Sequence, residues 1–182
     1  MALSKEEIAA RYGTALFDYA QDMKALEAVH ADLQELRQAL SAHPQILQVF
    51  SDPILNTTEK KKALSAIEQG LVDEVQNFLN LLLDYNHFSA LPAIIAYFND
   101  LYNKNKKIMA GTAITSIELD ESQLKALGES YAQKYGLTQV HLDNEVDDSI
   151  IGGVILKVGD YVVDGSVKNK LTKIRARLIS KD

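Results

Sequence analysis

Residue types that often carry chemistry are present, but their spacing favours structural roles. Asp143, Glu145 and Asp147 alternate like the start of a calcium-binding loop. Such a loop needs glycine at its sixth position and glutamate at its twelfth, where this chain has Asp148 and Val154. We therefore expect the acidic run to be a solvated turn, and we predict no metal site.

Gly152, Gly153 and Gly159 lie in an apolar segment and invite comparison with phosphate-binding loops. A Walker loop requires Gly-Lys-Ser/Thr at the start of a helix, and a dinucleotide fingerprint requires three spaced glycines between a strand and a helix. Neither pattern is present, so we predict no cofactor. Paired glycines inside an apolar strand mark a bulge or a close approach of two backbone segments. We predict that Gly152 and Gly153 are structural.

The remaining candidates for chemistry are the histidines, the serines and a basic cluster near the C-terminus. The four histidines fall in different predicted elements without partners at a metal-ligand spacing. No serine lies in a Gly-x-Ser-x-Gly elbow, and the chain has no cysteine. We therefore predict no catalytic residue. The basic cluster lacks interleaved aromatic residues that would stack on nucleic acid bases, so we expect a solvated or partner-facing helix surface at Lys168, Lys170, Lys173, Arg175, Arg177 and Lys181.

Composition and charge narrow the class of protein. The 182 residues are 47% hydrophobic and 24% charged, as in an ordinary globular protein. A net charge of -6 argues against general binding to nucleic acid or to anionic membranes. No apolar stretch approaches the roughly 20 residues that span a bilayer, and the acidic start does not resemble an export signal. We expect a cytoplasmic or peripheral protein without direct membrane insertion.

Residues 1–105 are typical of a helical bundle. Ser4-Lys-Glu-Glu7 is a capping box, and apolar residues then recur at helical spacing. Asp52-Pro53 ends a short third helix, Asn56 caps a fourth, and a sixth begins at Ser89. Six helices with short connections predict an N-terminal all-α six-helix bundle. This part holds 8 Lys+Arg against 14 Asp+Glu, and therefore the whole charge imbalance.

The pattern changes after the polar segment 104–107, where we place a domain boundary. Residues 106–182 hold 11 basic and 11 acidic side chains. They predict a small α+β C-terminal domain. Its predicted elements are a strand over 110–119, a helix over 120–136, a strand around 140–142, a hairpin over 150–163, and a final helix with Val167, Leu171, Ile174 and Leu178 on one stripe.

Two helices of the predicted bundle have more apolar surface than one core face needs. Tyr12, Ala15 and Tyr19 share one side of the first helix, whereas Phe17 lies nearly opposite; Leu81 lies off the main stripe of the fifth. Such a helix is either buried between neighbours or offers a groove to another helix. The pattern leaves both alternatives open.

Residues 140–159, VHLDNEVDDSIIGGVILKVG, resemble the signature of the delta subunit family of bacterial ATP synthase, which is related to the mitochondrial oligomycin-sensitivity-conferring protein. The resemblance continues through 164–167 and covers essentially the whole chain, including 11–20, 77–83 and 90–92. One departure is Tyr85-Asn86-His87, where the family usually has Asn-Gly-Arg. The signature positions are Val146, Asp147, Gly152, Gly153, Gly159, Asp164, Gly165 and Ser166.

The resemblance implies a non-catalytic stator subunit of the proton-translocating ATP synthase, with one copy per complex, peripheral to the cytoplasmic face of the plasma membrane. Residues 1–105 would bind the N-terminal segment of an alpha subunit between the first and fifth helices. Residues 106–182 would bind the b subunits of the peripheral stalk. The implied groove residues are Tyr12, Ala15, Tyr19, Asn77, Leu81 and Asp84. The alternative is a small cytosolic enzyme or ligand-binding module with an unrecognised site.

Overall fold

The computed structural model describes residues 4–51 and 55–179. The chain divides into two compact units, and the division falls after Tyr102. The first unit is helical, whereas the second contains a four-stranded mixed sheet together with further helices. This order confirms the prediction of a helical part followed by an α+β part.

Helix caps predicted from the sequence define two helix starts in the first unit. Ser4 Oγ accepts a hydrogen bond from the Glu7 amide at 3.1 Å, while Glu7 accepts one from the Ser4 amide at 2.8 Å. Asn56 and Glu59 form the same reciprocal pair at the start of the fourth helix. Asp52-Pro53 lies outside the described residues. The helices before the sheet are α1 (Lys5–Asp22), α2 (Leu26–Ala42), α3 (Gln45–Ser51), α4 (Thr57–Ile67), α5 (Asp73–Asp84) and α6 (Leu91–Lys106).

The sixth helix begins later than predicted. Phe88–Ala90 forms a 3₁₀ turn, so regular α-helix starts at Leu91, with Pro92 in its first turn. Proline is tolerated there because the first amides of a helix have no partner within it. The predicted start at Ser89 is therefore wrong by two residues.

The core of the first unit explains the apolar faces of α1. Leu16 and Phe17 are both buried, and Phe17 packs edge-to-face on Phe98 of α6 at 5.8 Å. Ala15 and Tyr19, on the next face, remain exposed. Thus α1 has one apolar face in the core and a second that is open. The large, fully buried side chains of this core are those of Val29, Leu33, Leu64, Val75, Leu79, Leu82, Leu91, Ile94, Ile95 and Phe98.

A polar cluster fixes the end of α6 against α2. Tyr102 donates a hydrogen bond to Glu27 and stacks on the His30 ring, with centroids 3.7 Å apart and planes within 5°. Asn99 Oδ1 accepts from Gln34 and lies 3.1 Å from His30 Nε2. The hydrogen bond to Glu27, burial and the negative charge of Glu27 raise the pKa of Tyr102 to about 12.

The polar segment 104–107, where the sequence predicts a domain boundary, includes the end of a helix. It forms the last turn of α6, where Lys104 and Lys106 complement the helix dipole. Lys107 then takes a left-handed φ of 55°, and the first strand begins at Ile108. Charge at a helix C-terminus and charge in a linker look alike in a sequence.

The second unit has the sheet order β2-β1-β3-β4. The parallel pair β1–β2 is connected through α7, while β3 pairs antiparallel with both β1 and β4. The predicted strands 110–119 and 150–158 are both shifted: β1 ends at Thr115, and a 3₁₀ turn, Asp148–Ile150, precedes β3. The bounds are β1 (Ile108–Thr115), α7 (Glu121–Tyr135), β2 (Gln139–Val146), β3 (Val154–Val158), β4 (Tyr161–Asp164) and α8 (Val167–Ile179).

The core of this unit lies between α7 and the sheet. Its buried cluster contains Ala113, Tyr131, Ala132, Val140, Leu156 and Val158. Gly128 permits a close approach of α7 to β2, because a Cβ there would lie 2.4 Å from the Val140 carbonyl oxygen. The backbone of α7 therefore packs directly against that of β2. The predicted end of this helix at Gly136 is confirmed, with φ at 68°.

Candidate functional site

An open cleft of about 320 Å³ lies between α1 and α5. Its lining residues recur every three or four positions on each helix, which places them in two facing stripes. They are Tyr12, Ala15, Leu16, Tyr19, Glu74, Asn77, Phe78 and Leu81. The structure thus brings together five of the six residues predicted for the groove.

The cleft has a buried apolar floor and an exposed apolar rim. Leu16 and Phe78 are at most 8% exposed, whereas Tyr19 and Leu81 are 44% and 41% exposed. Phe78 is not among the residues predicted for the groove, because one ring can fill the core and floor a cleft without any change of pattern. From Tyr12 to Tyr19 the cleft follows α1 for about 10 Å, or roughly two helical turns. These dimensions suit the apolar face of a short amphipathic helix.

Asp84, the sixth predicted residue, does not line the cleft. It lies beyond Leu81 at the end of α5, where its carboxylate forms an ion pair with Lys61 of α4 at 2.9 Å. Glu74, which the sequence analysis missed, supplies the acidic group of the cleft instead. Its position one helical turn before Asn77 was the available signal.

The departure at Tyr85-Asn86-His87 preserves the turn after α5. Asn86 has a left-handed φ of 56°, and the His87 and Asn86 amides donate to the carbonyl oxygens of Leu82 and Leu83 at 2.8 and 3.1 Å. This is the hydrogen-bond pattern of a Schellman motif, in which asparagine can replace glycine. The turn places the His87 ring edge-on to Tyr12, 5.5 Å between centroids. His87 therefore supports one wall of the cleft.

Two signature glycines of the second unit, Gly152 and Gly153, differ in whether a side chain would fit at their position. Gly153 has φ at +78°, and a Cβ there would lie 2.5 Å from the Gly165 carbonyl oxygen. Gly152 has room for a Cβ, at 3.4 Å from Val167. The amides of Gly165 and Val167 donate to the carbonyl oxygens of Val154 and Gly152, both at 2.9 Å. Pairing between these segments therefore continues past β3 and β4 to the start of α8.

The polar signature residues hold the start of α8. Asp164 accepts a hydrogen bond from the Ser166 amide at 2.9 Å, and Ser166 Oγ accepts one from the Asn169 amide at 3.1 Å. Hydrogen bonding from Ser166 lowers the pKa of Asp164. Asp147 likewise caps the 3₁₀ turn through the Ser149 amide, and bonding from Ser149 lowers the pKa of Asp147. Within this group, Ser166 is buried.

Beyond this cap, α8 has an unusually open apolar surface. It buries none of its described residues. Leu171, Ile174 and Leu178 are between 53% and 70% exposed and share one helix face. The helix contains only basic charges, at Lys168, Lys170, Lys173, Arg175 and Arg177; Lys181 lies outside the described residues.

Two further signature positions lie outside this helix. Val146 is 52% exposed at the end of β2, and Gly159 takes a positive φ in the β3–β4 turn.

The described residues include no group of three or more potential metal ligands. A second cleft, of about 500 Å³ between α7 and β2, contains Glu121, Lys125, Glu129 and His141. In the described part of the chain these side chains form no hydrogen bond or ion pair with one another and do not converge as a nucleophile, base and orienting group would. No helix in the described part of the chain has the length and apolarity needed to cross a membrane.

Comparison with known proteins decides the class of protein. The family model for the ATP synthase delta (OSCP) subunit matches residues 8–178. The chain belongs to this family. It is 56% identical to ATP synthase subunit delta of Lactobacillus acidophilus over the full length of both proteins. It is 52% identical to the subunit delta of Lactobacillus delbrueckii subsp. bulgaricus, covering 98% of this chain and 99% of the relative.

A solved structure shows the same fold. A chain in the cryo-EM structure of the Toxoplasma gondii mitochondrial ATP synthase hexamer superposes with a TM-score of 0.64 at 24% identity, covering 94% of this chain and 97% of that one. As a member of the delta family, the chain is a non-catalytic stator subunit of ATP synthase. The alternative, a small cytosolic enzyme or ligand-binding module, finds no support.

Proposed function

We propose that this chain holds the catalytic head of ATP synthase to the peripheral stalk through two separate surfaces. The cleft between α1 and α5 binds the N-terminal segment of an alpha subunit, and the second unit binds the b subunits of the stalk. The observation that carries the proposal is the open apolar cleft itself. An apolar groove with an exposed rim is the surface that an amphipathic helix covers in many complexes.

Charge supports the choice of partner for the cleft. Residues 1–105, as a six-helix bundle, carry the whole net charge of -6, and Glu74 lies in the cleft. An amphipathic segment with basic residues beside its apolar face would complement this surface. We expect Ala15 to admit the closest approach of the segment, because its side chain is the smallest in the lining.

Residues 106–182 offer a different surface to the stalk. The exposed apolar stripe of α8 and its basic residues are unlike the acidic cleft. Two surfaces of opposite charge select partners of different charge, so one partner does not compete for the surface of the other. Such a connector transmits torque through tight, unreactive interfaces, which agrees with a non-catalytic subunit.

Attachment to the membrane then comes through the b subunits. We propose one copy of the chain in each complex, at the cytoplasmic face of the plasma membrane. No helix of the described residues could itself cross the bilayer. A single connector between the head and the stalk is sufficient to prevent rotation of the head.

Calorimetry with the full-length chain tests the proposal. A synthetic peptide with the sequence of the alpha N-terminal segment should bind with one-to-one stoichiometry. The same titration should give an unchanged affinity when the soluble part of the b subunit is present at saturation. Competition between the peptide and the b subunit would contradict separate surfaces, and absence of peptide binding would contradict the assignment of the cleft.

A further inference from the structure

Ile151 combines a strained backbone with an exposed side chain. Its φ of 72° and ψ of −35° lie outside the regions that residues with a branched Cβ normally adopt. Its side chain is 62% exposed, so packing within the unit provides little compensation for that strain. Backbone strain of this kind persists only where the surrounding structure enforces it, and it clusters at functional sites.

The surroundings of Ile151 enforce this conformation from both sides. Its amide donates to the Asp148 carbonyl oxygen at 3.1 Å, and the preceding residue, Ile150, is buried. On the other side, the Gly152 carbonyl oxygen accepts from the Val167 amide at 2.9 Å. A glycine would adopt the same φ without strain. The isoleucine therefore places an apolar side chain in solvent at a position where its backbone is unfavourable.

The position connects Ile151 with the open face of α8. Its neighbour Gly152 is hydrogen-bonded to Val167, the first residue of that helix. Leu171 and Ile174 follow along α8 as exposed members of one stripe. Ile151 thus stands next to the start of a helix whose apolar face is left exposed by the described residues of this unit.

The charges beside this stripe indicate what covers it. Between Val167 and Ile179 there are five basic residues and no acidic one. A complementary partner is therefore a helix with an apolar face and acidic flanks. A basic amphipathic helix can also lie on an anionic membrane, but a fixed anchor at a rigid turn suits a pocket on a folded partner, in which a side chain gains most when it is already in place.

We propose that Ile151 is an anchor residue of the surface that receives the stalk, and that its occupant is an apolar helix face with acidic flanks. This inference rests on the proposed binding of the b subunits by the second unit. The strained turn holds the side chain outward before the partner arrives. Binding then needs little further ordering of this side chain.

Two substitutions at position 151 separate the effect of the side chain from the effect of the backbone strain. Ile151→Ala removes the side chain but keeps a Cβ at positive φ, whereas Ile151→Gly removes both. The control is Val162→Ala, because Val162 is equally exposed at 62% but lies on β4. Full-length variants are compared by thermal unfolding and by calorimetry against the soluble part of the b subunit, with vesicles containing anionic lipid as a second probe.

We expect both variants at position 151 to weaken binding of the b subunit at least tenfold, while Val162→Ala stays within twofold of wild type. Ile151→Gly should unfold at a higher temperature than Ile151→Ala, by about 2–4 °C. Unchanged b-subunit affinity in Ile151→Ala overturns the inference alone, and so does a variant effect confined to vesicle binding. A lower unfolding temperature for Ile151→Gly than for Ile151→Ala overturns the strain argument. Absence of b-subunit binding by the wild-type chain overturns the proposed function and the inference with it.

Discussion

Gly153 and Gly165 lie where two backbone segments approach closely, so that a side chain at Gly153 has no room and one at Gly165 would be tightly packed. A Cβ on Gly153 would lie 2.5 Å from the Gly165 carbonyl oxygen, and a Cβ on Gly165 would lie 3.1 Å from that of Val154. The contact continues the β3–β4 pairing up to Ser166, which caps α8. The orientation of α8 therefore depends on this pair of glycines.

Replacement of Gly153 should destabilise the second unit. Gly153→Val adds a branched side chain at positive φ against a backbone oxygen, so we expect a loss of about 2–3 kcal/mol in the free energy of unfolding. Chemical denaturation measures it. The matched control is Gly152→Ala, which should cost less than about 1 kcal/mol because its Cβ has room. Binding of the b subunit should fall in Gly153→Val while binding of the alpha peptide is retained. Equal stability of the two variants would contradict the backbone argument.

A charge in the cleft should prevent binding of the alpha segment. Ala15→Glu fills the space between α1 and α5 and leaves a carboxylate desolvated under the bound helix, so we expect a loss of about 2–4 kcal/mol in the binding free energy. Calorimetry with the alpha peptide measures this loss. Ala31→Glu, at an exposed position of α2, adds the same charge outside the cleft and should leave the affinity nearly unchanged. If circular dichroism shows folded Ala15→Glu and the affinity is that of wild type, the cleft is not the binding site.

Alkaline pH should reveal the polar cluster between α2 and α6. The pKa of Tyr102 is about 12 in the folded chain and about 10 in an unfolded chain. Above pH 10 the unfolded chain loses this proton first, so the stabilisation is complete below pH 10 and is lost as pH rises towards 12. Two pKa units correspond to about 2–3 kcal/mol at most. The free energy of unfolding can be measured with urea between about pH 8 and about pH 11.5. It should depend less steeply on pH in Tyr102→Phe than in the wild-type chain. The control is Tyr19→Phe, at an exposed tyrosine of the same unit, which should keep the wild-type slope.

Local chemistry made much of the fold predictable from the sequence. The capping boxes at Ser4 and Asn56 and the glycine stop at Gly136 each need only a few neighbouring residues, and all three are present in the structure. The prediction that a strand begins at Ile150 is wrong, because the apolar content of a segment does not reveal its backbone dihedral angles. The positive φ of Ile151 and Gly153 makes the backbone irregular there, so the regular strand begins only at Val154.

The cleft was predictable only in part, because its walls depend on contacts distant in the sequence. Surplus apolar surface on α1 and α5 left burial and a groove both open, and the choice of a groove came from the family resemblance; Ala15 and Leu81 line the cleft. The ion pair that turns Asp84 away from it is made with Lys61, on another helix. Periodicity places a residue on a face of its own helix, but it does not say which neighbouring helix will meet that face.

The first unit should fold without the second. A fragment of residues 1–106 keeps the whole of α6 and its contacts with α2, and roughly 100 residues can bury an adequate core. We expect cooperative thermal unfolding of the fragment, followed by circular dichroism. A fragment without a cooperative transition would contradict the independence of the two units. Retained binding of the b subunit by a folded fragment would contradict the division of partners between them.

Salt should slow the association of this fragment with the alpha peptide. The acidic surface of residues 1–105, which carry a net charge of -6, should attract an alpha segment with basic residues beside its apolar face. Long-range attraction of this kind raises the association rate more than the lifetime of the complex. At 1 M salt the Debye length falls to about 3 Å, so the attraction acts only at contact. Stopped-flow measurements should therefore show an association rate that falls by about tenfold or more between low and high salt, with a dissociation rate that changes much less.

Neutralising Glu74 in the cleft by Glu74→Gln should reduce this salt dependence of the association rate. The same change at Glu35, an exposed residue of α2, should reduce it less. An association rate that does not respond to salt would mean that apolar contact alone brings the segment to the cleft.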